Sequence, residues 1–204
     1  MNLYERYCLP HIIHLTCSSP VIQYQRRLVV PLARGRVLEV GMGSGLNLPF
    51  YDPARVEFVW GLEPSEGMRR KAAPAIACSG LEVRWLDLHG EEIALDDQSV
   101  DSILLTYTLC TIPDWRAALE QMRRVLKPGG QLLFCEHGLA PDAAVQKWQH
   151  LINPLWKPLG GGCNLNRPIP ELIREGGFKI ADLQSAYLPK TPRFAGFNYW
   201  GVAA

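Results

Sequence analysis

Val37-Leu38-Glu39-Val40 runs straight into Gly41-Met42-Gly43-Ser44-Gly45. An apolar run of this length that stops at glycines reads as a buried strand. The glycines let the main chain turn sharply and approach a ligand closely. A strand, a glycine loop and a following helix open a parallel α/β unit, and many nucleotide folds begin this way. The dinucleotide fingerprint needs a third glycine at position 46, where this chain carries Leu46. The spacing is therefore GxGxG. An acid, Glu39, also stands two residues before the first glycine. A carboxylate there is badly placed for a pyrophosphate and suits a cationic ligand group.

The rest of the chain follows the same alternation. Strands are expected at 36–40, 56–62, 81–86, 100–107 and 131–136, with helices at 65–77 and 115–126. Trp115, Leu119, Met122 and Leu126 are spaced to share one helical face. Lys127-Pro128-Gly129-Gly130 should stop that helix and turn into the fifth strand. Strands alternating with helices imply a parallel sheet covered on both faces. The end differs: 178–187 and 194–203 read as two strands with no helix between them, so they should pair antiparallel. Before the first strand, residues 1–34 read as a helical lead, with Ser19 capping and Pro20 opening a helix. Tyr4, Tyr7, His11 and His14 recur there at helical spacing.

Other strand ends supply polar groups. Gly61-Leu62-Glu63-Pro64-Ser65 puts Glu63 where a carboxylate can accept two ribose hydroxyls, with Pro64 beside it and Ser65 capping the next helix. Trp85-Leu86-Asp87-Leu88 offers Asp87 to an adenine amino group and the Leu88 backbone to the ring. The fourth strand ends at Thr106-Tyr107, and the fifth at Glu136-His137. Strand ends of this kind line the ligand crevice, so His137 is a candidate general base.

Taken in order, EVGMGSG, GLEPS, LDL, VDSILLTYTL and RVLKPGG resemble the class I S-adenosylmethionine-dependent methyltransferases, in their ubiquinone-biosynthesis-like branch. The resemblance implies one Rossmann-like α/β domain: a seven-stranded sheet with an antiparallel C-terminal hairpin and an N-terminal helical lid. Residues 1–34 would be the lid, 35–137 the cofactor core, 138–177 a substrate-covering insertion and 178–204 the closing strands. It implies S-adenosyl-L-methionine as cofactor, held by Glu39, Gly41, Gly43, Gly45, Glu63, Pro64, Asp87, Leu88 and Thr106.

A narrower likeness lies in CEHG and in WQHLINPLWKPLGGGCNLNR. These stretches resemble the corresponding region of the animal thiol S-methyltransferases, and they imply a small, possibly hydrophobic thiol as acceptor. Tyr107, Trp148, Trp156, Asn164 and Arg167 are then the acceptor-side candidates, with Asn164 and Arg167 also organising their loop. The residues themselves leave open an O-, N- or C-methyltransferase acting on a lipid, quinone or amine, and a non-catalytic cofactor-binding protein.

Composition narrows the partners. Lys and Arg number 21 against 20 Asp and Glu. Nucleic-acid binders that depend on phosphate attraction show a basic excess, which argues against that class. The opening MNLYERYCLPHIIHLTCSSP has the pattern of neither a signal peptide nor a membrane span. The six cysteines show no CxxC pair or zinc spacing, so they read as reduced thiols of a cytoplasmic protein, several packed as small hydrophobes, with no metal expected.

Overall fold

The computed structural model of the chain describes residues 8–86 and 92–204. One seven-stranded sheet runs through it: β1 (Gly35–Val40), β2 (Val56–Leu62), β3 (Val83–Leu86), β4 (Val100–Thr106), β5 (Leu126–His137), β6 (Ile180–Tyr187) and β7 (Phe197–Ala203). Their spatial order is β3-β2-β1-β4-β5-β7-β6. The first five strands are parallel, and β7 is antiparallel to both β5 and β6. The chain winds outward from β1 to β3, then returns to place β4 on the other side of β1. The strand order therefore reverses between β1 and β4, and the crevice at their C-terminal tips is where such sheets take ligands.

Alternation of the strands builds two apolar layers. Leu38, Ile103, Leu105, Leu132 and Phe134 pack on one face with Leu119, Met122 and Ile173. Val37, Val59, Leu104, Leu133 and Cys135 pack on the other with Val29, Val30 and Met42. Burial on both faces explains why the strands read as continuous apolar runs rather than alternating ones.

Helices α1 (Leu9–Cys17) and α2 (Pro20–Val29) form the lead; α3 (Glu66–Ser79) follows β2 and α4 (Trp115–Val125) follows β4. Helix α5 (Ala143–Leu159), helix α6 (Ile169–Glu175) and the short α7 (Arg193–Gly196) fill the second half. Ser65 caps α3 by accepting the Met68 N–H at 3.3 Å, and Asp114 caps α4 by accepting the Ala117 N–H at 3.0 Å. Ser19 occupies the cap position of α2, but its side chain makes no capping bond. Among the described residues, no helix is long and apolar enough to cross a membrane.

Two expectations change in detail. β5 begins at Leu126, directly after α4, and its register with β4 shifts between Val100 and Ser102. The Pro128-Gly129-Gly130 stretch thus lies within a kinked strand rather than ahead of one. The connection between β6 and β7 holds a helical turn, α7, where strand was expected from Phe194. The Leu188 N–H donates to Gly196 O at 2.8 Å across that turn. Strand pairing resumes at Tyr187 opposite Phe197.

Candidate active site

The glycine loop sits between the tips of β1, β2 and β4. The Gly41 and Met42 N–H groups both donate to Leu62 O, at 2.9 and 3.2 Å. Gly41 has a φ of 71°, and a Cβ there would lie 2.4 Å from the Thr108 side chain. Any other residue would push the loop off β4. Glu63, at the tip of β2, accepts the Gly43 N–H at 2.9 Å through Oε2 and the Ser65 N–H at 2.9 Å through Oε1. The acid thus grips the loop.

Beneath the loop lies a buried polar network. Glu39 is 1% exposed. Its two oxygens accept Asn47 Nδ2 at 2.8 Å and the Tyr51 hydroxyl at 2.6 Å. Burial pushes the Glu39 carboxyl up, and those two hydrogen bonds hold it back. Arg26 enters from α2. Its Nη1 donates to Asn47 Oδ1 at 2.6 Å and to Thr106 Oγ1 at 2.8 Å, and Asn47 Nδ2 also reaches Thr106 Oγ1, at 2.9 Å. Arg26 is 4% exposed, and its Nε has no hydrogen-bond partner. Its guanidinium lies 5.4 Å from the Tyr107 ring centroid. From α1, His14 Nδ1 meets Ser44 Oγ at 2.7 Å, so the lead helices close directly on the glycine loop. His11 reaches Lys71 of α3 instead, at 3.0 Å.

A second group forms at the tips of β4 and β5. Tyr107 adopts a φ of 57°, unusual for a residue with a side chain, and its hydroxyl donates to Asn198 Oδ1 at 2.8 Å. Glu136 is fully buried. Its Oε1 accepts the Thr108 and Leu109 N–H groups at 2.6 and 2.9 Å, while Oε2 has no partner. Burial raises its carboxyl to about 7 despite those bonds. His137 Nε2 lies 3.0 Å from Cys163 Sγ, and Trp156 Nε1–H donates to the same sulfur at 3.2 Å. Cys110 completes the cluster. Its thiol hydrogen bond pulls the Cys163 thiol well below its usual range, helped by the His137 charge and the Trp156 N–H. Burial disfavours the His137 cation, but the Cys163 sulfur and Glu136 outweigh it and raise His137.

The methyltransferase domain family matches residues 38–134, from within β1 to within β5. Thiol S-methyltransferase TMT1B of Homo sapiens is 37% identical over 176 residues, covering 80% of this chain and 71% of that protein. Thiol S-methyltransferase TMT1A of Homo sapiens is 31% identical over 182 residues, covering 85% and 72%. The chain belongs to this methyltransferase family. Its fold agrees: a SAM-dependent methyltransferase of Leishmania major superposes with a TM-score of 0.71 at 16% identity, over 98% of this chain and 80% of that one. The chain is thus an S-adenosylmethionine-dependent methyltransferase with the seven-stranded sheet of its class.

Within this methyltransferase, Gly41, Gly43, Gly45, Glu63, Glu39 and Thr106 converge at one strand-tip crevice. Glu39 also organises Asn47 and Tyr51, so its role is partly internal. Pro64 is exposed beside Glu63. Asp87 and Leu88, like Tyr4 and Tyr7, lie outside the described residues. On the acceptor side, Trp156 joins the His137 cluster, whereas Trp148 is 59% exposed on α5 beside Leu151 and Leu155. Helix α5 passes through Pro154 and Pro158, and the eight-residue step rotates Trp156 by about 80° from Trp148. Asn164 holds the Cys110 carbonyl through both its backbone N–H and Nδ2, each at 2.9 Å. Arg167 Nη1 donates to Leu109 O. Both residues tie the insertion to the β4 tip. Gln149, 1% exposed, clamps it further by donating to Gly138 O, Leu165 O and Phe194 O at 3.0–3.1 Å.

Sequence reasoning missed Arg26, Asn47, Tyr51, Gln149, Glu136 and the Cys110–Cys163 pairing. An acid next to a histidine at a strand tip was a usable signal for Glu136. The cysteines gave none, because the donors stand on three separate segments rather than at a short spacing.

Proposed function

We propose that this methyltransferase transfers the methyl group to the sulfur of a small hydrophobic thiol. The carrying observation is the His137–Cys163–Glu136 group at the β5 tip, in a chain whose curated relatives include thiol S-methyltransferases. The crevice fits the cofactor. Beside Gly43 there is room for a ligand, since an added Cβ would come no nearer than 3.4 Å to Met68, Glu63 presents a carboxylate at the β2 tip, and Arg26 Nε is a buried donor with no partner. Glu39 with its neighbours would hold the ammonium end of the cofactor, and Arg26 its carboxylate. When bound, S-adenosylmethionine supplies a methyl group already activated on a sulfonium.

The protein's work is then to place and ionise the acceptor. A free thiol has a pKa of about 8.5, and the thiolate is the nucleophile. His137 takes the acceptor's proton, or in its cationic form steadies the thiolate. Closing a gap of one to two pKa units is worth about 2 kcal/mol. Trp156 and Tyr107 border this group, while Asn164, Arg167 and Gln149 hold the covering segment in place. All six cysteines are free, which fits a reducing compartment such as the cytoplasm.

A panel of alkyl and aryl thiols, phenols, amines and quinols with methyl-labelled cofactor tests the reading. Labelled thioethers are expected from the apolar thiols. Label found only on oxygen, nitrogen or carbon would overturn it.

A further inference from the structure

Three soft donors converge where β4, β5 and the segment after α5 meet. The ligand atoms of Cys110, His137 and Cys163 all lie within 4.8 Å of one another. Cys110 is 2% and Cys163 9% exposed. In tetrahedral zinc sites the metal stands about 2.3 Å from sulfur and about 2.0 Å from imidazole nitrogen, which puts ligand atoms roughly 3.5–3.8 Å apart. The 3.0 Å separation of His137 Nε2 and Cys163 Sγ lies just inside that spacing. Small side-chain rotations therefore suffice to seat an ion.

The surroundings are those of a built site. Asn164, next to Cys163, binds the Cys110 carbonyl twice, so the backbones carrying the two sulfurs are fastened together. Trp156 Nε1–H already points at one of the sulfurs. Donors of this kind orient metal-bound thiolates and tune them. An independent observation comes from Glu136, the residue before His137. Its Oε2 is buried without a partner, and a nearby divalent charge would stabilise that carboxylate. Three protein ligands with one position open is the pattern of catalytic rather than structural zinc.

We propose that Cys110, His137 and Cys163 bind one thiophilic divalent cation, zinc in the first place, and leave its fourth position for the sulfur of the acceptor. Only the last clause rests on the thiol reading. The acceptor thiol binds as its thiolate and releases its proton to solvent. Its sulfur lone pair forms the new S–C bond as the methyl–sulfonium bond breaks, and that bond's electron pair leaves on the departing thioether. In the loaded site His137 is a ligand, and the cation takes over the acidification of the thiol.

The full chain, reduced and stripped with chelator, is titrated with Co²⁺. One equivalent should bind with sulfur-to-cobalt charge-transfer absorption and tetrahedral d–d bands, and Zn²⁺ should displace it. Peptide mapping after alkylation should show Cys110 and Cys163 protected by Zn²⁺, with the exposed Cys8 and Cys78 still modified. Cys163→Ser should lose the charge-transfer band, and Cys78→Ser should keep it. Trp156→Phe should weaken metal affinity by about 10–100-fold. A wild-type chain with no charge-transfer band, or with Cys110 and Cys163 alkylated equally with and without Zn²⁺, overturns the site whatever the variants do. If the ion binds and no thiol is methylated, the thiol reading fails and the site stands. If metal-free chain methylates thiols at the full rate, the site's catalytic role fails and the thiol reading stands.

Discussion

Arg26 Nη1 donates to Thr106 Oγ1 at 2.8 Å, joining the lead helix α2 to the tip of β4 across 80 residues of sequence. The same nitrogen holds Asn47, which holds Glu39. The lead is therefore tied into the polar network beneath the glycine loop, not only laid above it. Arg26→Met keeps the stem and removes the charge. A charge-assisted hydrogen bond is worth about 1.5–3 kcal/mol, so affinity for S-adenosylhomocysteine should fall roughly 10–100-fold by calorimetry. Unchanged affinity in a folded variant would assign Arg26 to structure alone.

Glu63 is expected to matter more to binding than to folding. It bonds two backbone N–H groups at the loop, and those sites can turn to water when the side chain is lost. Glu63→Ala should reduce cofactor affinity by at least about 100-fold, since two hydrogen bonds to a charged acceptor are worth roughly 3–6 kcal/mol. Its melting temperature without ligand should move by only a few degrees. A variant that binds the cofactor normally would break the ribose assignment.

What could be read in advance was local. The β1–glycine-loop–Glu63 stretch is contiguous, and its strand, turn and acid each have a short-range signature. The parallel order followed from alternation, and the closing hairpin from a connection too short for a crossover helix, although it holds the single turn α7. Long-range pairings were not legible. Arg26 reads as one more polar position on an amphipathic helix, and only the fold buries it against Thr106. Cys110, His137 and Cys163 come together only once the insertion folds back over β4 through Asn164 and Gln149. Trp148 and Trp156 shared a plausible periodicity, yet only the latter turns toward the cluster.

Glu136 makes stability fall as pH rises. Burial raises its carboxyl from 4.5 to about 7. The folded state therefore binds a proton that the unfolded chain has already lost between those values. The cost is absent below pH 4.5, grows up to about pH 7 and is constant above it. At about 1.4 kcal/mol per pH unit it reaches about 3 kcal/mol. Glu136→Gln stays neutral and should be more stable than the parent at pH 8, with little difference at pH 4.5. Urea denaturation at the two pH values checks this. Equal stability differences at both would remove the carboxyl from the pH dependence.

In the metal-free chain, His137→Ala tests the acceptor side, and its pH profile carries more than its rate. Without the imidazole, an apolar thiol must ionise unaided or through the Cys110–Cys163 sulfurs. Near pH 7 the loss in turnover should be about 10–30-fold, matching the roughly 2 kcal/mol gap to a free thiol. The loss should shrink toward pH 9, where the thiol ionises by itself. KM for the cofactor should hardly change, because His137 lies at the β5 tip and not among the Glu39, Glu63 and Arg26 contacts. Steady-state rates from pH 6 to 9 give the answer. A uniform loss would mean that His137 positions the cluster without moving a proton, and no loss at any pH would remove it from the reaction.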